Sequence, residues 1–361
     1  MPYQQRLTRL RQAMQARAIE QYAIISWEGS DQPNLQYLTG FSGSFGIYLV
    51  ADDRARFFTD SRYLHRVKET LPALDVHRIK DLNSFAKVLV DLNIPEVTVN
   101  GAVIPVGLFQ KFEKELDERA TLTVGEDLVY DLRAVKDAEE IEHIQKAQSI
   151  TDKTFEHICA FVKPGMSEAQ VGWEMESFMR HHGAHALAFP VMVASGPNSA
   201  LPHHETGTRK IQNGDFLLFD FGAKADGYCS DMTRTVVIGN PTDKHRKIYD
   251  LVLQAQQAAL AAIRAKVDGK QVDRAARDVI EAAGYGEHFG HGTGHGLGLD
   301  VHESPRLTYL QSQTLPAASV VTVEPGIYLE GWGGVRIEDL VVVTDTGINN
   351  LTQSPKDLIC I

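Results

Sequence analysis

Three cysteines in 361 residues, Cys159, Cys229 and Cys360, are too few, too scattered and odd in number for a disulfide framework. A reducing, cytoplasmic compartment is the expectation. No uninterrupted apolar run approaches the ~18 residues that mark a bilayer-spanning helix, so no membrane span is expected. Positive charge is short as well: Lys and Arg number 36 against 47 Asp and Glu, a net charge of −11, which argues against nucleic acid as a partner. Short-period repeats and low-complexity tracts are missing. The glycines at 292, 294 and 296 do not make a dinucleotide-binding loop, because Leu297 stands where that pattern needs its third glycine. What remains is a globular chain, 43% hydrophobic and long enough for two domains.

Pattern changes divide it. Residues 1 to about 130 alternate short strands (22–26, 46–51, 56–60, 96–100) with helical stretches (84–92, 108–116), an α/β domain. The opening Arg6, Arg9, Arg11 and Arg17 superficially suit a transit peptide, but they run without a processing signal through Glu20 into an apolar strand. A first amphipathic helix is the expectation. A charged helical segment over 136–162 opens a second domain, 131–361; Pro164 and Gly165 end the helix, and Ser167 with Gln170 forms a capping box for the next. Residues 251–267 read as an Ala-rich helix whose apolar stripe is core packing.

The second domain is rich in carboxylates at matched positions. Residues 216–222 and 228–237 read as two strands around an Ala225-Asp226-Gly227 turn, and the midpoint of Asp220 and Asp231 falls inside that turn. The two aspartates are therefore expected to face each other, with Cβ atoms about 4.5–5.5 Å apart. Carboxylates so placed can clamp two cations about 3.5–4 Å apart, whereas a solvent-facing polar hairpin is the plain alternative. Glu324 and Glu338 repeat the arrangement around a turn centred on Gly331. Glu338 lies in a strongly apolar strand and needs a partner, which is either a metal or Arg336, two residues back on the same strand face. Between the hairpins stand His291, His295 and His302, in a glycine-rich stretch that disfavours helix and reads as loop or strand. Physics alone leaves open which of the three binds metal.

Taken together, "DFGAKADGYCSDMTRT", "HGTGHGLGLDVHE", "TVEPGIY" and "GGVRIED" resemble the pita-bread metallopeptidases, specifically the proline-directed Xaa-Pro aminopeptidases and Xaa-Pro dipeptidases. The resemblance covers residues 130–361 strongly and reaches the N-terminal part through "YLTGFSGS" and "FTDSRY". It implies a creatinase-like N-terminal α/β domain, 1–130, followed by a pita-bread catalytic domain, 131–361. It implies two divalent ions on Asp220, Asp231, His295, Glu324 and Glu338, with Glu324 also the acid-base; manganese is expected, with cobalt or zinc as alternatives. His291 and His302 resemble substrate and transition-state contacts, and Arg336 matches an arginine near the metals. His203, in "SGPNSALPHH", matches a further active-site histidine, with adjacent His204 leaving that assignment open by one residue. A proline-containing peptide substrate and a homodimer are also implied. One departure stands out: Ala317-Ala318-Ser319 occupies a turn where the family usually has a glycine.

The activity expected is release of the N-terminal residue from Xaa-Pro peptides of three or more residues, the reading that "YLTGFSGS" and "FTDSRY" favour. The alternative is a dipeptidase, for which Arg306 supplies a grip on a free carboxylate. Two further classes are a hydrolase of the same fold acting on a small amidine, against which all five retained ligands weigh, and a metal-free binding module.

Overall fold

The computed structural model describes residues 2–116 and 118–361. The chain divides into two compact units, one ending at Arg133 and one spanning Ala134–Ile361.

In the first unit, β-branched and aromatic runs pair into a six-stranded mixed sheet. Its order is Asp75–Arg78, Ala55–Thr59, Phe45–Ala51, Gln21–Trp27, Glu96–Asn100, Thr121–Gly125. Phe45–Ala51 pairs antiparallel with both its neighbours, Gln21–Trp27 and Ala55–Thr59, and the remaining pairings are parallel. Helix Leu82–Asp91 starts where the Asp81 side chain accepts from the Ser84 amide, and its apolar face brings Phe85 against Phe58 and Phe112 in the core. The Arg-rich opening is a helix, Pro2–Gln15, with Leu10 and Met14 fully buried.

The second unit holds two helix pairs, each covering its own apolar cluster. Ala138–Phe161 and Glu168–His181 lie over a core that includes Phe219 and Phe221. Asp243–Ala262 and Gly269–Ala282 lie over one that includes Val321, Val323, Ile327 and Val335. Capping boxes set three of the starts: Asp137 with Glu140, Ser167 with Gln170, and Thr242 with His245, each cap stabilising its helix by about 1 kcal/mol. The helix expected over 251–267 therefore begins earlier, after Thr242, and ends at Ala262.

Beneath the helices, Met232–Val237, Phe216–Phe221 and Met192–Ser195 form one three-stranded sheet. A five-stranded sheet runs Glu303–Leu307, Gly294–Gly296, Val320–Val323, Asp339–Val343, Ile348–Asn350, and Gly326–Leu329 pairs with Gly333–Arg336 beside it. Arg234 bolts these layers together. Fully buried, it donates to the carbonyls of Thr233, Glu338, Ser354 and Pro355 and to Asp339 Oδ1, the last at 2.8 Å. Among the described residues, no helix is long and apolar enough to cross a membrane.

Candidate active site

Strand alternation places the first aspartate. Along Phe216–Phe221, Leu217, Phe219 and Phe221 enter the helix-covered core, which leaves Asp220 on the opposite face. The return is a two-residue turn, Asp226-Gly227, with φ of 51° and 88°. That turn pairs Ala225 with Tyr228, and the same register carries on to pair Asp220 with Thr233. Asp231 thus lies two positions from the residue opposite Asp220, on the same face but diagonal to it. The expectation of directly opposed aspartates is corrected, since the turn centres one residue later than its composition suggests. Gly222 is required at the crossing, where a Cβ would collide with the Ser230 carbonyl.

The glutamate hairpin keeps its expected register. Val323 pairs with Asp339 on one side and Gly326 with Arg336 on the other, both in the register that sets Glu324 opposite Glu338. Arg336 is not the partner of Glu338. It donates from Nη2 to Asp220 Oδ2 at 2.5 Å, from Nη1 to the Tyr328 hydroxyl at 2.9 Å and from Nε to Thr233 Oγ1 at 2.9 Å. Thr233 in turn donates to Glu338 Oε2 at 2.8 Å.

His295 arrives on the short strand Gly294–Gly296, opposite Arg306. Its Nδ1 lies 3.0 Å from the Gly296 carbonyl, which can only accept, so the proton sits on Nδ1 and the Nε2 lone pair is left for another partner. Nε2 is 3.6 Å from Asp231 Oδ2 and 3.4 Å from Glu324 Oε1. Burial, with help from His302, holds this imidazole neutral with a pKa of about 3.

Ligand atoms of Asp231, His295 and Glu338 lie within 4.8 Å of one another, and Asp220 and Glu324 line the same cavity of about 600 Å³. Burial raises the pKa of every carboxyl in the set; mutual repulsion adds to it for Asp231 and Glu338, and Glu324 is pushed to about 7. Two buried acids and two half-buried ones, all resisting ionisation, together with a neutral imidazole presenting its lone pair, suit divalent cations: the cations would hold the acids ionised.

Three more histidines sit around this cavity. His291 has both ring nitrogens engaged, Nδ1 with the Gly292 carbonyl at 2.8 Å and Nε2 with the Tyr328 hydroxyl at 2.8 Å. Burial followed by the Arg336 charge lowers its pKa to about 4. His302 packs edge-on against His295 at 4.4 Å and, like His203, lines the cavity. His204 turns the other way, its Nε2 2.9 Å from Glu168 Oε2. Glu168 also accepts from Ser195, Asn198 and the Gly207 amide; burial alone would raise its pKa, but these bonds together lower it. Cys229 is buried near this region, its thiol raised to about 12 by burial.

Tyr328, Thr233 and Glu168 are participants that sequence reasoning misses. Parity carries a signal for two of them, since Tyr328 lies four residues beyond Glu324 and Thr233 two beyond Asp231. Nothing near Glu168 marks it as a hub.

Residues 142–345 match the metallopeptidase family M24, and residues 6–135 match the creatinase/prolidase N-terminal domain. An uncharacterized peptidase of Bacillus subtilis is 41% identical over 90% of this chain and 93% of its own length. The solved Xaa-Pro dipeptidase from Bacillus anthracis superposes with a TM-score of 0.95 at 38% identity, covering 99% of this chain and 100% of that one. The X-Pro aminopeptidase structure from Thermotoga maritima gives 0.90 at 36%, covering 97% and 100%. With its carboxylate hairpins, lone-pair imidazole and two-unit build, the chain belongs to metallopeptidase family M24: a creatinase-like N-terminal domain followed by a pita-bread hydrolase domain.

Proposed function

We propose that this hydrolase cleaves the Xaa-Pro bond and takes the dipeptide as its preferred substrate. The observation that carries the dipeptide reading is Arg306. Its guanidinium lines the cavity, and among the described residues no carboxylate or carbonyl accepts from it. A planar cation left free in a site is matched to a carboxylate, and in an Xaa-Pro dipeptide the free carboxylate is carried by the proline itself. Aminopeptidase action on longer peptides is the second reading, supported by the N-terminal motifs and by the likeness to the X-Pro aminopeptidase of Thermotoga maritima.

Asp220, Asp231, His295, Glu324 and Glu338 would hold two divalent ions, manganese suiting so oxygen-rich a set, and these would supply Lewis acidity toward water and the scissile carbonyl. The nitrogen of an Xaa-Pro bond carries no hydrogen, so the leaving group must be given a proton. Glu324 is the group we assign to it, a carboxyl lining the cavity with Oε1 3.4 Å from His295 Nε2. Arg336 fixes Asp220, and Thr233 fixes Glu338, so that neither carboxylate swings away. His302 and His203 face the cavity and are the donors available to the developing oxyanion, His291 being committed to Tyr328.

The test compares an Xaa-Pro dipeptide with the corresponding tripeptide under metal-replete conditions, in wild type and Arg306→Met. Loss of a charge-assisted bond to the carboxylate is worth about 1.5–3 kcal/mol, so dipeptide KM should rise roughly 10- to 100-fold. Faster tripeptide than dipeptide cleavage, unaffected by Arg306→Met, would transfer the assignment to an aminopeptidase. Cleavage of neither peptide would remove the Xaa-Pro reading.

A further inference from the structure

On helix Gly269–Ala282, behind the cavity, Asp273 and Arg277 form an ion pair that the chemistry above does not use. Asp273 is fully buried and Arg277 nearly so. The pair bonds through Nε to Oδ2 at 3.0 Å and through Nη2 to Oδ1 at 3.1 Å. The remaining capacity of both side chains goes to one stretch of backbone. Arg277 donates from Nη1 to the Phe289 carbonyl and from Nη2 to the His291 carbonyl, each at 2.8 Å. Asp273 Oδ1 accepts from the Thr293 amide at 3.1 Å and from its hydroxyl at 3.0 Å. The Thr293 carbonyl then accepts from the Glu324 amide at 2.7 Å. Alternate residues of the 289–293 loop are thereby pinned to one ion pair, and the last of them leads directly to Glu324.

The same guanidinium stacks on two rings, Phe289 with its carbon 4.3 Å from the centroid and Tyr309 at 4.5 Å. Phe289 belongs to the pinned loop. Tyr309 belongs to the neighbouring stretch, which runs on from the Gly294–Leu307 strand pair and whose Thr308, Leu310 and Gln311 line the cavity. Tyr309 is 47% exposed and Leu310 is 74% exposed, so little else buries this stretch.

We infer that Arg277 is a positioning residue clamping two adjoining stretches of the peptide cavity's wall beyond the end of the Gly294–Leu307 ladder, holding the His291 loop by hydrogen bonds and the 308–311 loop through the Tyr309 ring. Lysine cannot replace it, because an ammonium lacks the planar fork that bonds two carbonyls while presenting a face to aromatic rings. The role rests on the peptidase reading for its effect on turnover, but the coupling itself is a property of the fold.

Backbone amide exchange of the full-length, metal-loaded protein tests the coupling without any substrate. In Arg277→Lys and Arg277→Met, exchange should rise at least tenfold in both 289–296 and 307–312, with the 216–237 strands unchanged. In Tyr309→Leu, a surface change that leaves folding intact, only 307–312 should loosen. Steady-state kinetics should split accordingly: Tyr309→Leu raises KM at least fivefold with kcat within twofold, whereas the Arg277 variants also lower kcat at least tenfold. Unchanged exchange in 307–312 in all three variants would overturn the inference, as would an increase spread evenly over 134–361. If the wild type cleaves no Xaa-Pro peptide, the proposed function falls, and the exchange pattern alone decides the coupling.

Discussion

The Tyr328 hydroxyl fills the acceptor nitrogen of His291. It donates to Nε2 across 2.8 Å while its own oxygen accepts from Arg336 at 2.9 Å, so a histidine that faces the cavity is tied through one phenol to the guanidinium that steadies Asp220. Tyr328→Phe removes the hydroxyl and leaves a buried guanidinium N–H and an imidazole lone pair without a partner. Stability should fall by about 1–3 kcal/mol in chemical denaturation. Turnover should fall too, with metal content by elemental analysis unchanged; loss of metal in this variant would mean that Tyr328 supports the ligands themselves.

Metal removal should expose the cost of the carboxylate cluster. In the metal-free protein Glu324 has a folded pKa of about 7 against an ordinary value of 4.5, so the folded state binds the extra proton between those values. A raised folded pKa contributes stability that is fully present below 4.5 and lost as pH climbs through 7; for Glu324 alone this is on the order of 3 kcal/mol. Asp231 and Glu338 shift in the same direction. Thermal scans after chelation should show Tm falling from pH 5 to pH 8, and added manganese should restore it most at the alkaline end. A chelated protein with the same Tm at both pH values would contradict the crowding of charge described here.

Arg234→Met should be the most damaging of these substitutions to folding. It leaves the carbonyls of Glu338, Ser354 and Pro355 short of a donor and Asp339 with Lys356 as its remaining cation, a loss of about 3–5 kcal/mol. Burial would raise the Asp339 pKa, yet Arg234 and Lys356 outweigh it and hold it below 3.8. Its contribution is therefore present above pH 3.8 and disappears as pH falls through the lower folded value. Urea midpoints at pH 7 and pH 3 should differ less in the variant than in the wild type.

Ala318→Gly should stabilise. Ala318 has φ of 64°, in the left-handed region where a Cβ costs about 1–2 kcal/mol, and its amide and carbonyl are both bonded there, to Val343 and Lys136. Part of that gain is returned as chain entropy of the unfolded state, leaving a net benefit below about 1 kcal/mol. Differential scanning calorimetry of the single variant checks the sign. The turn where the sequence departs from its family's glycine is thus a turn whose backbone favours one.

Much of the site is legible in the sequence because strand periodicity is strict. Glu324 and Glu338 can be set opposite each other from their midpoint, and the ladders on both sides keep that register. The aspartates come out misaligned by two positions, since composition marks a turn at Ala225-Asp226-Gly227 without saying which two residues take positive φ. The choice between His203 and His204 needs Glu168, thirty-six residues from His204 and marked by no motif. Arg336 reads as a partner for Glu338 because same-strand neighbours are all that a sequence displays, while its actual partner, Asp220, is 116 residues away.

The glutamate ribbon has a consequence for anyone redesigning this enzyme. Its two ladder segments belong to different sheets, yet one residue count runs through both, with Glu324 and Glu338 at the crease. Side chains along 326–336 other than Tyr328, Gly334 and Arg336 can be exchanged without disturbing that count, but adding or deleting one residue in either arm turns alternate side chains to the other face. Variant libraries built on this scaffold should therefore fix the length of the ribbon together with Tyr328, Gly334 and Arg336 and vary its other positions, leaving insertions to the tip around Gly331.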